Sequence, residues 1–276
     1  MKRITERDYG MKRITQEELK IIQMDILSAV DKFCRDNNIN YSLSAGTLLG
    51  AIRHKGYIPW DDDIDIAMSR DEYNHFEKIF PEVLDGKYEL ISIYRDNNWL
   101  RPYAVIVDNR TIMNEEQNEE EHGVTIDLFP IDDVPDSDDD FKKYVSKLKF
   151  SKRLRDIKRM KWRKGRTFTK NLYLMFLKSL IFFISSRMIV RYCDRVAQLN
   201  NGKGYTKCYE TSFGYYAPRS FDKKVFDEFV EKPFEDRQYM CYKNYDNYLS
   251  NTYGDYMTPP PVDKRASTHV FNAYWK

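Results

Sequence analysis

Residues 41–68 read Tyr-Ser-Leu-Ser-Ala-Gly-Thr-Leu-Leu-Gly-Ala-Ile-Arg-His-Lys-Gly-Tyr-Ile-Pro-Trp-Asp-Asp-Asp-Ile-Asp-Ile-Ala-Met, and the acidic second half decides the fold. Taken as a strand, the run from Asp61 to Met68 alternates faces with a period of two. Asp63, Asp65 and Ala67 then share one face, and Ile64, Ile66 and Met68 share the other. The apolar face has a core to enter. The acidic face sets two carboxylates about 7 Å apart at their Cα atoms, a repulsion from which a purely structural strand gains nothing. A divalent cation removes that penalty. Hard oxygen ligands on a rigid strand suit Mg2+ or Mn2+, with substrate phosphates completing the shell.

The first half supplies the other need of a phosphate site. A Gly46-Thr47 turn opening a helix presents backbone N–H groups and a hydroxyl to an anion. Leu48, Leu49 and Ile52 give that helix an apolar side, and Arg53, His54 and Lys55 follow at its end, each within reach of a phosphate. The bland reading of Asp61–Asp65 is a solvated acidic loop, which is what a charge run usually is. A calcium loop of the EF-hand type fails, because no Gly and closing Glu follow at the required offsets. The alternating isoleucines and the upstream Gly-Thr favour a built site.

The run from Ala45 to Asp65 resembles the signature of LicD-type phosphotransferases, with fukutin-type proteins as distant relatives. That family belongs to the nucleotidyltransferase-fold superfamily, whose pattern is a Gly-Gly or Gly-Ser turn, a spacer, and Asp-x-Asp on a strand. Thr47 stands here where Gly or Ser is usual. Farther on, Ile126-Asp127-Leu128-Phe129-Pro130 resembles the family's next segment. On its residues alone, Asp127 is a strand aspartate opposite the core-facing Val124, Ile126 and Leu128, and such a residue more often faces water. The resemblance makes it a third carboxylate, acting as general base toward an acceptor hydroxyl, as a metal ligand, or as both. Leu249 to Pro261 resembles the family's C-terminal signature, and Lys264, Arg265 and His269 follow it.

What the resemblance implies is an α/β (α+β) fold with a mixed sheet of nucleotidyltransferase type. Asp63, Asp65 and Asp127 are expected to be catalytic and to hold Mg2+ or Mn2+. Gly46, Thr47, Arg53, His54 and Lys55 are expected on the nucleotide phosphates, and Asp61 and Asp62 as supporting or additional ligands. The implied donor is CDP-choline, with CMP leaving. The implied acceptor is a cell-surface glycan such as a teichoic acid precursor. Two other readings remain: a nucleotidyltransferase moving a nucleotide from an NTP to a small molecule with the same carboxylates, and a non-catalytic membrane-surface adaptor.

Length and composition set the remaining bounds. The chain has 276 residues and a formal net charge of +2, so no global field points to nucleic acid. Cys34, Cys193, Cys208 and Cys241 form no C-x-x-C pair, which argues against zinc and a disulfide scaffold and for reduced thiols in the cytoplasm. No apolar run opens the sequence as a signal peptide, and no stretch is long enough to span a bilayer. Met-Lys-Arg-Ile-Thr occurs at 1–5 and again at 11–15. Residues 1–10 are therefore read as a tag or as preceding an alternative start. A catalytic core is expected over 11–140, a basic and apolar helical region over 141–200, and a C-terminal helical cap over 201–276.

Thr15 with Glu18, and Ser69 with Glu72, are capping boxes that open helices to about Asp36 and Phe80. Residues 88–94 and 102–107 read as strands, and Asp132 and Asp133 as loop residues after Pro130. From Lys142 to Lys170 there are fourteen Lys or Arg against one acid, Asp156, and an apolar run to Ile184 follows, broken at Lys178 and Ser179. Two readings of 142–184 stand level. One is peripheral contact with an anionic membrane's inner face, at about 1 kcal/mol per basic residue near the surface, to which a lipid-linked acceptor would give a purpose. The other is a solvated basic helix followed by a buried core helix. Tyr209–Tyr216 reads as a strand and turn, and Tyr245 to Tyr253 as a helix ended by Gly254.

Overall fold

The structure is a computed structural model and describes residues 11–115, 122–160, 167–211, 220–261, 263, 265 and 271–276. They form two compact units, neither of them a continuous stretch. The first gathers residues up to Ile91, Tyr103–Ile131 and Lys223 onward; the second gathers Ser92–Pro102 and Asp132–Asp222.

In the first unit, helix α1 (Gln16–Asp36) opens on the expected box. Thr15 Oγ1 accepts from the Glu18 N–H and the Glu18 carboxylate accepts from the Thr15 N–H, a cap worth about 1 kcal/mol. Leu19, Ile22, Ile26, Leu27, Val30 and Cys34 recur at helical spacing and are buried, and with them Gln23. The sheet runs β1 (Ser42–Leu43), β2 (Asp65–Ser69), β6 (Thr125–Val134), β4 (Ala104–Asp108), β3 (Tyr88–Ile91) in that spatial order. Only β2 and β6 are parallel; the other neighbours are antiparallel. The fold is thus α/β with a mixed sheet. Helix α2 (Ala45–Arg53) lies in sequence between β1 and β2, and α3 (Arg70–Ile79) follows β2. Half of the second box forms: Ser69 Oγ accepts from the Glu72 N–H at 3.3 Å. The Glu72 carboxylate instead accepts from the backbone and side chain of Asn40.

β6 corrects the loop assigned to Asp132 and Asp133, because it runs through Pro130 to Val134. Asp127 donates its N–H toward β2, to the Ile64 carbonyl. Alternation therefore turns the amide position of Pro130 to the β4 side, beyond the last β4 pair at Ala104 and Leu128. A proline there forfeits no ladder bond. Two further strand pairings belong to this unit. Two antiparallel strands, β9 (Phe229–Phe234) and β10 (Arg237–Tyr242), form a hairpin whose turn holds Glu235 at φ +56°. β5 (Thr111–Glu115) pairs with β11 (Phe271–Trp275). Helix α7 (Tyr245–Tyr253) ends at Gly254, φ +72°, where a left-handed residue closes a helix at least cost.

In the second unit, Asp132–Val134 of β6 pair with β7 (Lys207–Tyr209), which pairs with β8 (Phe221–Asp222). The buried Asp132 carboxylate accepts from Asn201 Nδ2 and Thr211 Oγ1. Three helices follow one another: α4 (Asp138–Arg159), α5 (Phe168–Leu180) and α6 (Ser186–Ala197). Tyr144 of α4 donates to the Ala197 carbonyl at 2.6 Å. α6 buries Ile189, Val190, Cys193 and Val196. α5 buries only Asn171 and Leu174, so the reading of its apolar run as a buried core helix is corrected. All four cysteines are buried free thiols. Residues 212–216 of the expected strand and turn lie outside the described residues, as do Lys264 and His269.

Candidate active site

β2 and β6 run parallel in a register that sets Asp65 opposite Asp127. Partners in such a ladder project from the same face, roughly 4.8 Å apart at the backbone. Five hydrogen bonds to the backbone fix the pair and its flanks. Thr47 Oγ1 accepts from the Asp65 N–H at 2.9 Å, and the Asp65 carbonyl accepts from the Ser44 N–H at 2.9 Å. The Asp127 N–H donates to the Ile64 carbonyl. Gln23, buried in α1, donates from Nε2 to the carbonyls of Asp62 at 3.0 Å and Thr125 at 3.3 Å. It thereby ties the acidic segment to the start of β6. Tyr57 in turn donates its hydroxyl to Gln23 Oε1.

The strand expected over Asp61–Met68 begins only at Asp65; Asp61, Asp62, Asp63 and Ile64 precede it outside any helix or strand. Burial, then the charge of Asp127, push the Asp63 carboxyl up from its ordinary 3.8 to about 6, against a hydrogen bond with Asp61 that pulls it down. Asp61, Asp63 and Asp127 thus share one electrostatic neighbourhood, with Asp65 in register beside Asp127.

The glycine-threonine turn sits differently from its expected use. Gly46 and Thr47 lie within the first turn of α2, capped at Ser44. A Cβ on Gly46 would come within 2.5 Å of Asp61 Oδ2, so the anion at this helix N-terminus is the Asp61 carboxylate, where the positive end of the helix favours negative charge. Thr47 is 3% exposed and its oxygen holds the Asp65 N–H, which corrects the expectation of an open hydroxyl. Ala45 carries a φ of +45°, a conformation that costs a residue with a Cβ of order 1 kcal/mol or more. Its N–H donates to the Tyr248 hydroxyl at 3.3 Å, which also bonds Ser44 Oγ at 3.0 Å.

At the other end of α2, Arg53 donates from Nη1 to the Tyr256 carbonyl at 2.6 Å. Burial and the nearby Arg265 guanidinium lower the Arg53 pKa. Burial and Arg53 likewise lower that of His54. Arg265 lies over the Trp60 ring at 5.2 Å and donates to the Pro260 carbonyl, and His54 meets the same ring edge-on. Lys55 sits at φ +61°. Its carbonyl accepts from the Glu235 N–H, and Glu235 Oε1 accepts from the Tyr57 N–H. The structure thus gathers Arg53, His54 and Trp60, which stand just ahead of the acidic run in sequence, with Arg265 from far along the chain. Among the described residues, no three His, Cys, Asp or Glu side chains are arranged to hold one metal ion.

Residues 38–165 match the family model described as LicD/FKTN/FKRP, nucleotidyltransferase domain. Across 280 aligned residues, covering 96% of this chain and 99% of the relative, the sequence is 29% identical to the lipopolysaccharide cholinephosphotransferase LicD of Haemophilus influenzae. Together the two matches support a LicD-type protein. Shorter matches reach uncharacterized rickettsial proteins. One, from Rickettsia typhi, is 38% identical over 88 residues, 32% of this chain and 28% of that protein. Another, from Rickettsia prowazekii, is 50% identical over 46 residues, 17% of each.

The sequence motif contains the acids but not what positions them. Gln23, Trp60, Tyr248 and Glu235 went unread. Gln23 carried a signal, a polar residue on the apolar stripe of α1. Glu235 carried none, since its turn lacks the Asn-Gly or Asp-Gly pair that marks two-residue hairpins. Gly46→Ala is expected to displace Asp61 and cut turnover at least tenfold with the circular dichroism spectrum unchanged. Wild-type turnover in that variant would remove Asp61 from the site.

Proposed function

We propose that this chain transfers phosphocholine, or a closely related alcohol phosphate, from a CDP-activated donor to a hydroxyl of a cell-surface glycan, releasing CMP. The observation that carries the reading is the register pairing of Asp65 with Asp127 on one sheet face, beside the perturbed Asp63. The cholinephosphotransferase name of the full-length Haemophilus relative supports the transferred group and the glycan class of acceptor.

The donor set is all carboxylate, which fits Mg2+ or Mn2+, and burial with the charge of Asp127 raises the Asp63 pKa. Asp63, Asp65 and Asp127 would hold the ion, their side chains rotating toward it from positions that are not a ready-made set of three. When bound, such an ion stabilises charge on the oxygens of the transferring phosphoryl group. The acceptor hydroxyl oxygen forms a bond to the phosphorus of the alcohol phosphate as the bond from that phosphorus to the CMP oxygen breaks. The hydroxyl proton passes to the Asp127 carboxylate. Arg53 and Arg265 offset the charge that accumulates on departing CMP, with Lys55 as a further cation two residues after Arg53. Thr47 and Gln23 act by holding Asp65 and the segment before it.

Incubating the chain with Mg2+, CDP-choline and a glycan acceptor is expected to release CMP. Release of pyrophosphate from ATP with no CMP from CDP-choline would favour nucleotidyl transfer instead. Arg265→Ala is expected to raise KM for the CDP donor about tenfold, a loss of about 1.4 kcal/mol, with kcat changed far less. An unchanged KM would take Arg265 off the donor.

A further inference from the structure

Helix α5 is amphipathic the wrong way round for a protein in water. Phe168, Leu172, Tyr173, Met175, Phe176 and Leu180 are each more than half exposed, while its buried side consists of Asn171 and Leu174. At about 100° per residue these six side chains span an outward arc of roughly 160°. The apolar surface continues past the helix, where Phe182 and Phe183 are 70% and 93% exposed and pack edge-to-face on each other. Lys158 of α4 secures this turn by donating to the carbonyls of Ile181 and Phe182. Such a contiguous apolar face marks a surface that another phase or molecule covers.

The charge in the same unit selects the cover. α4 exposes Lys142, Lys143, Lys147, Lys149 and Arg153. No helix among the described residues is long and apolar enough to cross a membrane. We propose that α5 and the turn after it insert into the headgroup boundary of an anionic lipid bilayer, with α4 supplying the electrostatic attraction. The acyl boundary takes the phenylalanines and leucines, and the lipid phosphates take the lysines and arginines. A second copy of the chain is a poorer cover, because a symmetric interface brings each polybasic helix toward its own copy.

Flotation of the full chain with phosphatidylcholine vesicles, alone or mixed with phosphatidylglycerol, tests this. Binding is expected to be at least tenfold tighter to the anionic vesicles and to weaken as salt rises from about 0.1 M, where screening lengths fall below about 10 Å. Phe176→Asp with Phe183→Asp should lose at least tenfold in vesicle affinity while keeping wild-type melting. Lys147→Glu with Lys149→Glu and Arg153→Glu should lose the preference for anionic lipid. In Phe183→Trp the indole emission should shift to the blue on adding vesicles. No binding, equal binding to neutral and anionic vesicles, wild-type affinity in the double aspartate variant, or an unshifted indole would each overturn the proposal. So would a dimer that the double aspartate variant dissolves while vesicle binding persists.

Discussion

Asp127→Asn is expected to lower CMP release from a CDP-activated donor by about a thousandfold or more, the scale of losing a general base together with its electrostatic work. The fold should not notice. Asparagine keeps the shape, and the strand is held by backbone bonds, the Asp127 N–H to Ile64 among them. Asp65→Asn should match it, because the two carboxylates are register partners and neither has a substitute on that face of β2 or β6. A metal titration separates the two roles open to Asp127. If it only ligates the ion, saturating Mg2+ restores much of the rate. If it takes the acceptor proton, turnover stays low at any Mg2+ concentration while ion affinity changes little. Activity within tenfold of wild type in either variant would end the carboxylate-centred account.

The parts of this site that could be read from the sequence are those written in local periodicity. Alternating Ile64, Ile66 and Met68 gave the sheet away, and the capping boxes at Thr15 and Ser69 placed two helices. The Asp65–Asp127 pairing was suggested by resemblance alone, because a register between strands some sixty residues apart leaves no mark in either strand. Proline at 130 hid the second half of β6: it reads as a strand end, and only the three-dimensional edge of β4 makes it harmless. The two discontinuous units were equally hidden, since Ser92–Pro102 joins the second unit without any shift in composition. Thr47 shows a subtler limit. The sequence offered a hydroxyl beside a glycine, and whether it faces a phosphate or a backbone N–H depends on where β2 starts.

Asp63→Asn is expected to stabilise the metal-free protein at neutral pH while impairing turnover. The Asp63 carboxyl is raised from 3.8 to about 6, so between those values the folded chain keeps a proton that the unfolded chain has lost. Stability then falls as pH rises through that window, and the loss is complete above about pH 6. At about 1.4 kcal/mol per pH unit the penalty is at most about 3 kcal/mol, which for a chain of this size is several degrees of melting temperature, at roughly 2–4 °C per kcal/mol. Melting curves in EDTA from pH 4 to 8 should show the wild type falling relative to Asp63→Asn, with the two converging at the acid end. Added Mg2+ should close the gap from the other side, raising the wild type by binding only its folded state and raising the variant less. Parallel curves across the whole range would mean that Asp63 titrates normally and that its neighbours do not oppose its charge. Equal stabilisation of both proteins by Mg2+, leaving the gap unchanged, would place the ion away from Asp63. The same burial and crowding that raise the Asp63 pKa are what a bound cation would relieve, so the cost in the free protein and the affinity for that cation have one electrostatic origin.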